Sequence, residues 1–230
     1  MTTLKLLFIS TLLFLISACG GGGGGGGGPV TSAETFQLKT AYVNFFNGSN
    51  SLPFTLSGTS SGYAVTGSGT LTESVPVNST FELVSALQKN STITYTLTVN
   101  SVTSSTASSS SSYADSNYVP LGGTGSEYTV ITGSTSIPLT ARVGDSGTWS
   151  TENRYTNSSK SSLIGTTTTT YVLEADTATT ALLKIIDTDK NTSGTTTATT
   201  IETYRITPSG GITHVSASIS KSPTYLTFTF

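Results

Sequence analysis

The widest range of chemistry in this chain sits in one stretch, Arg142 to Tyr155, RVGDSGTWSTENRY. It carries the only tryptophan, Trp149, close to Arg142, Glu152 and Arg154. Alternate side chains of a strand point to opposite faces. Read as a strand, Trp149, Thr151, Asn153 and Tyr155 share one face, and Ser150, Glu152 and Arg154 share the other. Trp149 and Tyr155 then fill a core, or they line a mouth for a flat apolar or sugar ligand. Glu152 and Arg154 would pair along the surface, an interaction worth little by itself. Arg142, Trp149, Glu152, Arg154 and Tyr155 are therefore the candidate ligand contacts. Hydrolysis of glycosides needs two carboxyl groups, one of them raised by burial. No pair of acids is set apart by its spacing here.

The other candidate motifs read as turns or exposed positions. Gly58-Thr59-Ser60-Ser61-Gly62 fits G-x-S-x-G, but a nucleophile elbow needs a helix after the serine, and none is expected here. Gly144-Asp145-Ser146-Gly147 resembles the nucleophile loop of serine proteases. That family places its His and Asp before the serine, whereas the only histidine here, His214, lies after it. Val215, Ala217 and Ile219 alternate on one face of a strand, which puts His214, Ser216 and Ser218 on the other and makes His214 an exposed polar residue. Asp187-Thr188-Asp189-Lys190-Asn191 has the D-x-D-x-N opening of a calcium loop, so Asp187, Asp189 and Asn191 are the metal candidates. An EF-hand needs Gly and Glu where this chain has Thr192 and Ala198, so a hairpin turn is the better account. No catalytic residue and no cofactor emerges.

Composition narrows the field further. Charged residues are 10% of the 230 positions, and the formal net charge is −2. Ser and Thr make up roughly a third of the chain, against a usual charged fraction of about a quarter for globular proteins. Cations this few and scattered cannot build the basic face that nucleic acid requires, so nucleic acid is not an expected partner. The single cysteine, Cys19, rules out an internal disulfide, and one histidine rules out a metal site with two or more His ligands.

The elements that must position these residues read as an all-β body. Apolar residues alternate with Thr or Ser, most clearly over Thr92–Val99, where Ile93, Tyr95, Leu97 and Val99 face one way. Further strands are expected over Thr35–Phe46 (ending at the Asn47-Gly48 turn), Leu52–Leu56, Tyr63–Ser74, Thr80–Leu87 (ending in a Lys89-Asn90 turn), Ser112–Val119 and Glu127–Thr132. Others follow over Gly147–Tyr155, Thr166–Glu174, Thr180–Asp187, Thr195–Thr207, Ile212–Ser220 and Tyr225–Phe230. Gly67 and Gly69 mark a bulge or a close backbone approach. Ala181–Ile186 is apolar on both faces and belongs in the centre of its sheet. An antiparallel meander packed as a sandwich or closed as a barrel is expected. The nearly pure Ser/Thr run at 104–111 reads as a linker between two β subdomains, 35–103 and 112–230. Phe228 and Phe230 alternate with Thr at the very end. This resembles the closing strand of outer-membrane barrels, but Thr224 and Ser222 break the pattern and no aromatic girdle is evident, so it reads as the edge or closing strand of a soluble domain.

The start of the chain supplies an address. Leu6–Ile16 is an apolar run too short to span a bilayer comfortably, and it is followed by Ser17-Ala18-Cys19 and nine glycines, Gly20–Gly28. Ile16-Ser17-Ala18-Cys19 resembles the lipobox of bacterial lipoproteins. The resemblance implies a signal helix and peptide over residues 1–18, cut before Cys19, and a diacylglyceryl group with further acylation (a palmitate-type anchor) on Cys19 itself. Gly20 in place of Asp implies the outer membrane, with the cell-surface or periplasmic face left open. Residues 19–34 would be the acylated cysteine and a tether whose glycines span about 15–18 Å. The expected function is a non-enzymatic binding, adhesion or envelope-structural module, partnered by the membrane through its anchor and by a glycan, lipid or envelope protein. The alternatives are a surface-anchored hydrolase that uses carboxylates on glycans, and a small barrel that carries lipid or another ligand.

Overall fold

The computed structural model describes residues 31–133 and 135–230. The signal segment, Cys19 and the glycine run lie outside the described residues. Among the described residues, thirteen strands form one continuous antiparallel sheet. They are β1 (Asn50–Ser60), β2 (Tyr63–Glu73), β3 (Val77–Phe81), β4 (Val84–Val99), β5 (Val102–Ala114), β6 (Pro120–Thr124) and β7 (Tyr128–Ile131). The rest are β8 (Ser146–Tyr155), β9 (Leu163–Ala175), β10 (Ala181–Asn191), β11 (Thr196–Ile206), β12 (Ile212–Lys221) and β13 (Thr224–Thr229). Each strand from β4 to β13 pairs with the next. β13 returns to β1, β1 pairs with β2, and β2 pairs with β4. Those last two ladders close a barrel of twelve strands, with β3 as an extra strand beside the start of β4. Of the two expected architectures, the barrel is the one formed.

Period-two alternation sorts the residues between bore and outside. Phe54 and Leu56, Val65, Ile93, Tyr95 and Leu97, Ala217 and Ile219, and Leu226 and Phe228 are buried together inside β1, β2, β4, β12 and β13. The Thr side of Thr92–Val99 faces out, where Thr92, Thr96 and Thr98 share hydroxyl hydrogen bonds with Ser109, Ser105 and Thr103. The close approach expected at Gly67 and Gly69 is present. A Cβ on Gly69 would stand 2.3 Å from the Thr94 carbonyl oxygen.

Three sequence expectations are corrected. Ser/Thr run 104–111 is the middle of β5, paired residue by residue with β4 from Val99↔Val102 to Leu87↔Ala114. It is a wall of the barrel rather than a linker, and the strands of 35–103 and of 112–230 belong to one sheet. Thr is a good strand former, and a strand with hydroxyls on both faces has no alternation to betray it. The Lys89-Asn90 turn does not form, because β4 runs straight through it. The strand expected over Thr35–Phe46 is instead the helix α1, Leu38–Asn47. Leu38, Ala41, Tyr42, Phe45 and Phe46 fall at i, i+3, i+4, i+7 and i+8, one face of a helix. Tertiary burial of that face outweighs the strand preference of its Thr, Val and aromatic residues.

Helix α1 fills one end of the bore. Leu38 and Ala41 pack with Phe36, Ala141, Trp149, Tyr171, Leu173, Leu183, Tyr204 and Ile206 in a core at that end. Phe45 meets Tyr204 edge-on at 5.3 Å, and Tyr42 meets Trp149 at 6.0 Å. The last turn of the helix is tied down by Lys89 of β4, whose Nζ donates to the carbonyls of Phe45 at 2.6 Å and Gly48 at 2.9 Å. A cation there satisfies carbonyls left free at a helix end and complements the helix dipole.

Candidate functional site: a chamber between two cores

Between the core around α1 and the core beneath β1, β2, β12 and β13 lies a cavity of about 440 Å³. Its apolar lining comes from Phe45, Phe46, Leu71, Ile93, Phe228 and Phe230. Its polar lining is unusual for an interior. Among the described residues, six carboxylates (Glu73, Glu127, Glu152, Asp187, Asp189, Glu202) face two cations, Lys89 and Arg154, with His214 also present. A neighbouring cavity of about 280 Å³ shares Glu152, Asp187 and Glu202 and adds Trp149.

These groups reach the interior because they occupy the core-facing positions of their strands. Asp187 and Asp189 continue the face of Leu183 and Ile185 on β10, Glu202 that of Tyr204 and Ile206 on β11, and Glu73 that of Leu71 on β2. Arg154 is the hub of one side. It donates to both oxygens of Glu127, at 2.7 and 2.8 Å, and its Nη1 lies 3.0 Å from Asp189 Oδ2. Thr167 donates to Asp189, and Thr169 donates to Asp187 at 2.6 Å. Across the chamber, Tyr204 Oη donates to Glu202 at 2.6 Å. Asn50 donates to Glu73 at 2.9 Å, and Lys89 Nζ lies 3.7 Å from the same carboxylate.

Burial sets the protonation of four members of this belt, Glu152, Asp187, Asp189 and Glu202. It pushes Glu152 up to about 8, with the negative charges of Asp187 and Asp189 adding to the effect. Burial likewise pushes Asp187 and Asp189 up to about 6, despite the threonine hydrogen bonds. Glu202 is raised for the same reason. His214 is pushed down to about 4 by burial, so the ring is neutral at pH 7. It is stacked between Tyr204 at 4.5 Å and Phe230 at 4.0 Å, and among the described residues neither buried ring nitrogen has a partner in good hydrogen-bond geometry.

Two bulges explain why parity misplaced some side chains. Across β11 and β12, Thr203 pairs with Ser216 but Tyr204 pairs with His214, so Val215 is an extra residue. The alternation reverses at that point, and His214 joins Ala217 and Ile219 inside instead of standing exposed. On β8, Thr148 pairs with Thr170 and Ser150 with Thr169, so Trp149 is the extra residue. Trp149 points inward, as expected, but so do Glu152 and Arg154, which the alternation had put on the surface. A β-bulge re-aims side chains in this way, and the strand bends with it.

Of the five candidate contacts, then, Glu152 and Arg154 line the chamber and Trp149 lines its neighbour. Arg142 is in the loop before β8, exposed, with its Nε on Thr35 Oγ1 at 3.2 Å. Tyr155 turns outward. It packs in a small outer cluster where Phe81 stacks on Tyr113 at 4.4 Å and on Tyr128 at 5.4 Å. That cluster is covered by the β3–β4 hairpin, whose Glu82 accepts from Tyr128 Oη at 2.6 Å and pairs with Lys160. The calcium candidates are not brought together. Asp187 and Asp189 sit in the bore, whereas Asn191 Oδ1 caps the β10–β11 turn by accepting from the amides of Ser193 and Thr195. Among the described residues no group of three or more His, Cys, Asp or Glu is arranged to hold a metal ion. Both serine motifs are turns, with Ser61 and Gly62 linking β1 to β2, and Asp145 bonded back to Arg142 ahead of β8.

No family model, curated protein or solved structure matches this chain.

Proposed function

We propose that this protein is a lipid-anchored, non-enzymatic binding module of the bacterial outer membrane, and that its chamber receives a positively charged group carried on an apolar stem. The observation that supports this most directly is the imbalance of the lining: six carboxylates against two cations, with Phe45, Phe46, Phe228 and Phe230 in the same wall. Isolated buried charges are costly, and the usual escape is neutralisation by a proton or a partner. Here protons supply part of that role, and an incoming ammonium or guanidinium would take it over. Aromatic faces beside the carboxylates add attraction for a cation. No covalent step is required of the protein.

Titration calorimetry with octylamine, octanol and octanoate tests the reading. Octylamine binds and octanoate binds at least about tenfold more weakly, a difference of about 1.4 kcal/mol. Equal binding of the amine and the carboxylate, or no binding of either, refutes it. Added protease on intact cells reports the orientation: loss of the body places it on the cell surface.

A second reading keeps one specific observation. Glu152 stays protonated near neutral pH beside the more acidic Asp187, and two carboxyl groups with separated pKa values are what acid–base hydrolysis of glycosides uses. Activity on an envelope glycan that Glu152→Gln abolishes would favour this hydrolase reading over the first.

A further inference from the structure

The barrel wall is incomplete beside the chamber. β5 pairs with β4 along its whole length, but β6 reaches only Ser111 to Ala114 on its other side. The β6–β7 hairpin turns back at Gly125, whose amide donates to the Glu127 carbonyl. Val102–Ser110 is thus a strand edge with one side open, and all of it except Ser108 is exposed. No hydrogen bond to the backbone of these residues is present among the described residues apart from the β4 ladder. Natural edges of this length are usually blunted by lysine, proline, a bulge or a covering loop. This one, VTSSTASSS, carries no lysine or proline, its ladder with β4 runs without a register shift, and among the described residues no loop covers it.

The edge also opens onto the chamber. Ser104, Thr106 and Ser108 stand opposite the core-facing Leu97, Tyr95 and Ile93 and so share the inner face. Ser108 to Ser112 and Gly123 to Glu127 line the same cavity as the carboxylate belt. An added strand would place alternate side chains inward, toward that belt.

We infer that the free edge of β5 is a strand-addition site for an extended polypeptide segment with basic residues at alternate positions. Main-chain hydrogen bonds to Val102–Ser110 supply attachment, and the small hydroxyl side chains leave room for any neighbour. Selection comes from lysine or arginine side chains that enter the chamber and meet Glu152, Asp187 and Glu202. The inference rests on the chamber being a receptor for cations, and it names the polymer that delivers them.

Hydrogen exchange with two synthetic probes tests it. Both are about eight residues long, matching the free edge at about 3.3 Å per residue; one alternates Lys with Thr, the other Glu with Thr. The Lys-Thr peptide slows amide exchange within Val102–Ser110 at least about tenfold and binds at least tenfold more tightly than the Glu-Thr peptide. Ser105→Pro and Thr106→Pro, made separately, cover both directions in which an edge amide can point. The one with the outward N–H keeps the fold and octylamine binding, and loses the peptide. If octylamine binds but the Lys-Thr peptide leaves β5 exchange unchanged, the strand-addition inference is wrong and the cation receptor stands. If neither binds, both fall. Protection of β5 that appears without peptide and rises with protein concentration identifies a second copy as the occupant and overturns the inference.

Discussion

Lys89→Met should loosen the plug that closes the bore. Lys89 is 2% exposed and Glu73 6%, so both charges are largely withdrawn from bulk solvent. The substitution removes both ammonium bonds to the end of α1, at 2.6 and 2.9 Å, and leaves Glu73 with Asn50 as its remaining close partner. A hydrogen bond from a charged donor contributes about 1.5–3 kcal/mol, and removing one member of a buried pair costs about 3–5 kcal/mol. These overlap rather than add, and Met keeps the apolar stem against Phe45. A loss of about 3–5 kcal/mol is therefore expected. At about 2–4 °C per kcal/mol for a domain of this size, the melting temperature should fall by about 6–20 °C. Urea unfolding followed by circular dichroism gives the free energy directly. Adding Glu73→Gln to the variant should recover part of the loss, since it removes the stranded charge. A loss below about 1 kcal/mol for Lys89→Met alone would refute the assignment of Lys89 as the clamp on the helix.

Glu152 titrates near 8 when folded and near 4.5 when unfolded, so the stability it provides is full below pH 4.5 and is lost as pH rises through 8. Glu152→Gln should remove most of the decline between pH 6 and 8 in a urea series, leaving the fall up to about pH 6 that Asp187 and Asp189 contribute; an unchanged slope between pH 6 and 8 would show that Glu152 is ionised throughout. His214 runs the other way, because its folded value near 4 lies below the ordinary 6.5. Its contribution is present above pH 6.5 and lost toward pH 4, and His214→Phe should flatten that acid limb. Gly69→Ala would drive a methyl group to 2.3 Å from the Thr94 oxygen and 2.6 Å from Phe54. It should cost about 1–3 kcal/mol, and wild-type stability would show that β2 and β4 are not so close there. Cys19→Ala should leave the protein unprocessed or soluble and free of metabolic palmitate label; a labelled variant would remove the lipoprotein reading.

Much of the barrel was legible because burial inside it follows period two. β2, β7, β9, β11 and β12 lie within a few residues of the expected strands, and the Ile93–Leu97 face points inward as read. Two elements were hidden by composition. β5 has hydroxyls on both faces, so its hydrophobic pattern carries no information. The helical spacing of α1 is present in Leu38, Ala41, Tyr42, Phe45 and Phe46, but those residues stand among strand formers and before an Asn-Gly pair. The chamber was partly readable. Asp187, Asp189, Glu202 and Glu73 each occupy the same parity as apolar neighbours, and that is the signal for an inward carboxylate. Glu152, Arg154 and His214 were not readable in this way, because each lies beyond a bulge, and a single extra residue reverses every later face. Lys89 shares the parity of Ile93, Tyr95 and Leu97, but nothing local names its partners, which are the end of a helix some forty residues away and the last residue of another strand.

The seam of the barrel sets the order in which it can form. Thr55 of β1 is matched to Thr229 of β13, so the ring cannot shut until β13 is present. α1 precedes every strand that surrounds it and has to be held at the open end while β4 through β13 lay down one hairpin after another. Local hairpins come early and the first-to-last pairing comes late, the pattern that makes β topologies fold in milliseconds to seconds rather than microseconds. Until that final zipper engages, both β1 and β13 are bare edges. Truncating the chain before Thr224 would remove the partner of β1 and β12 together and leave a curled sheet in place of a ring.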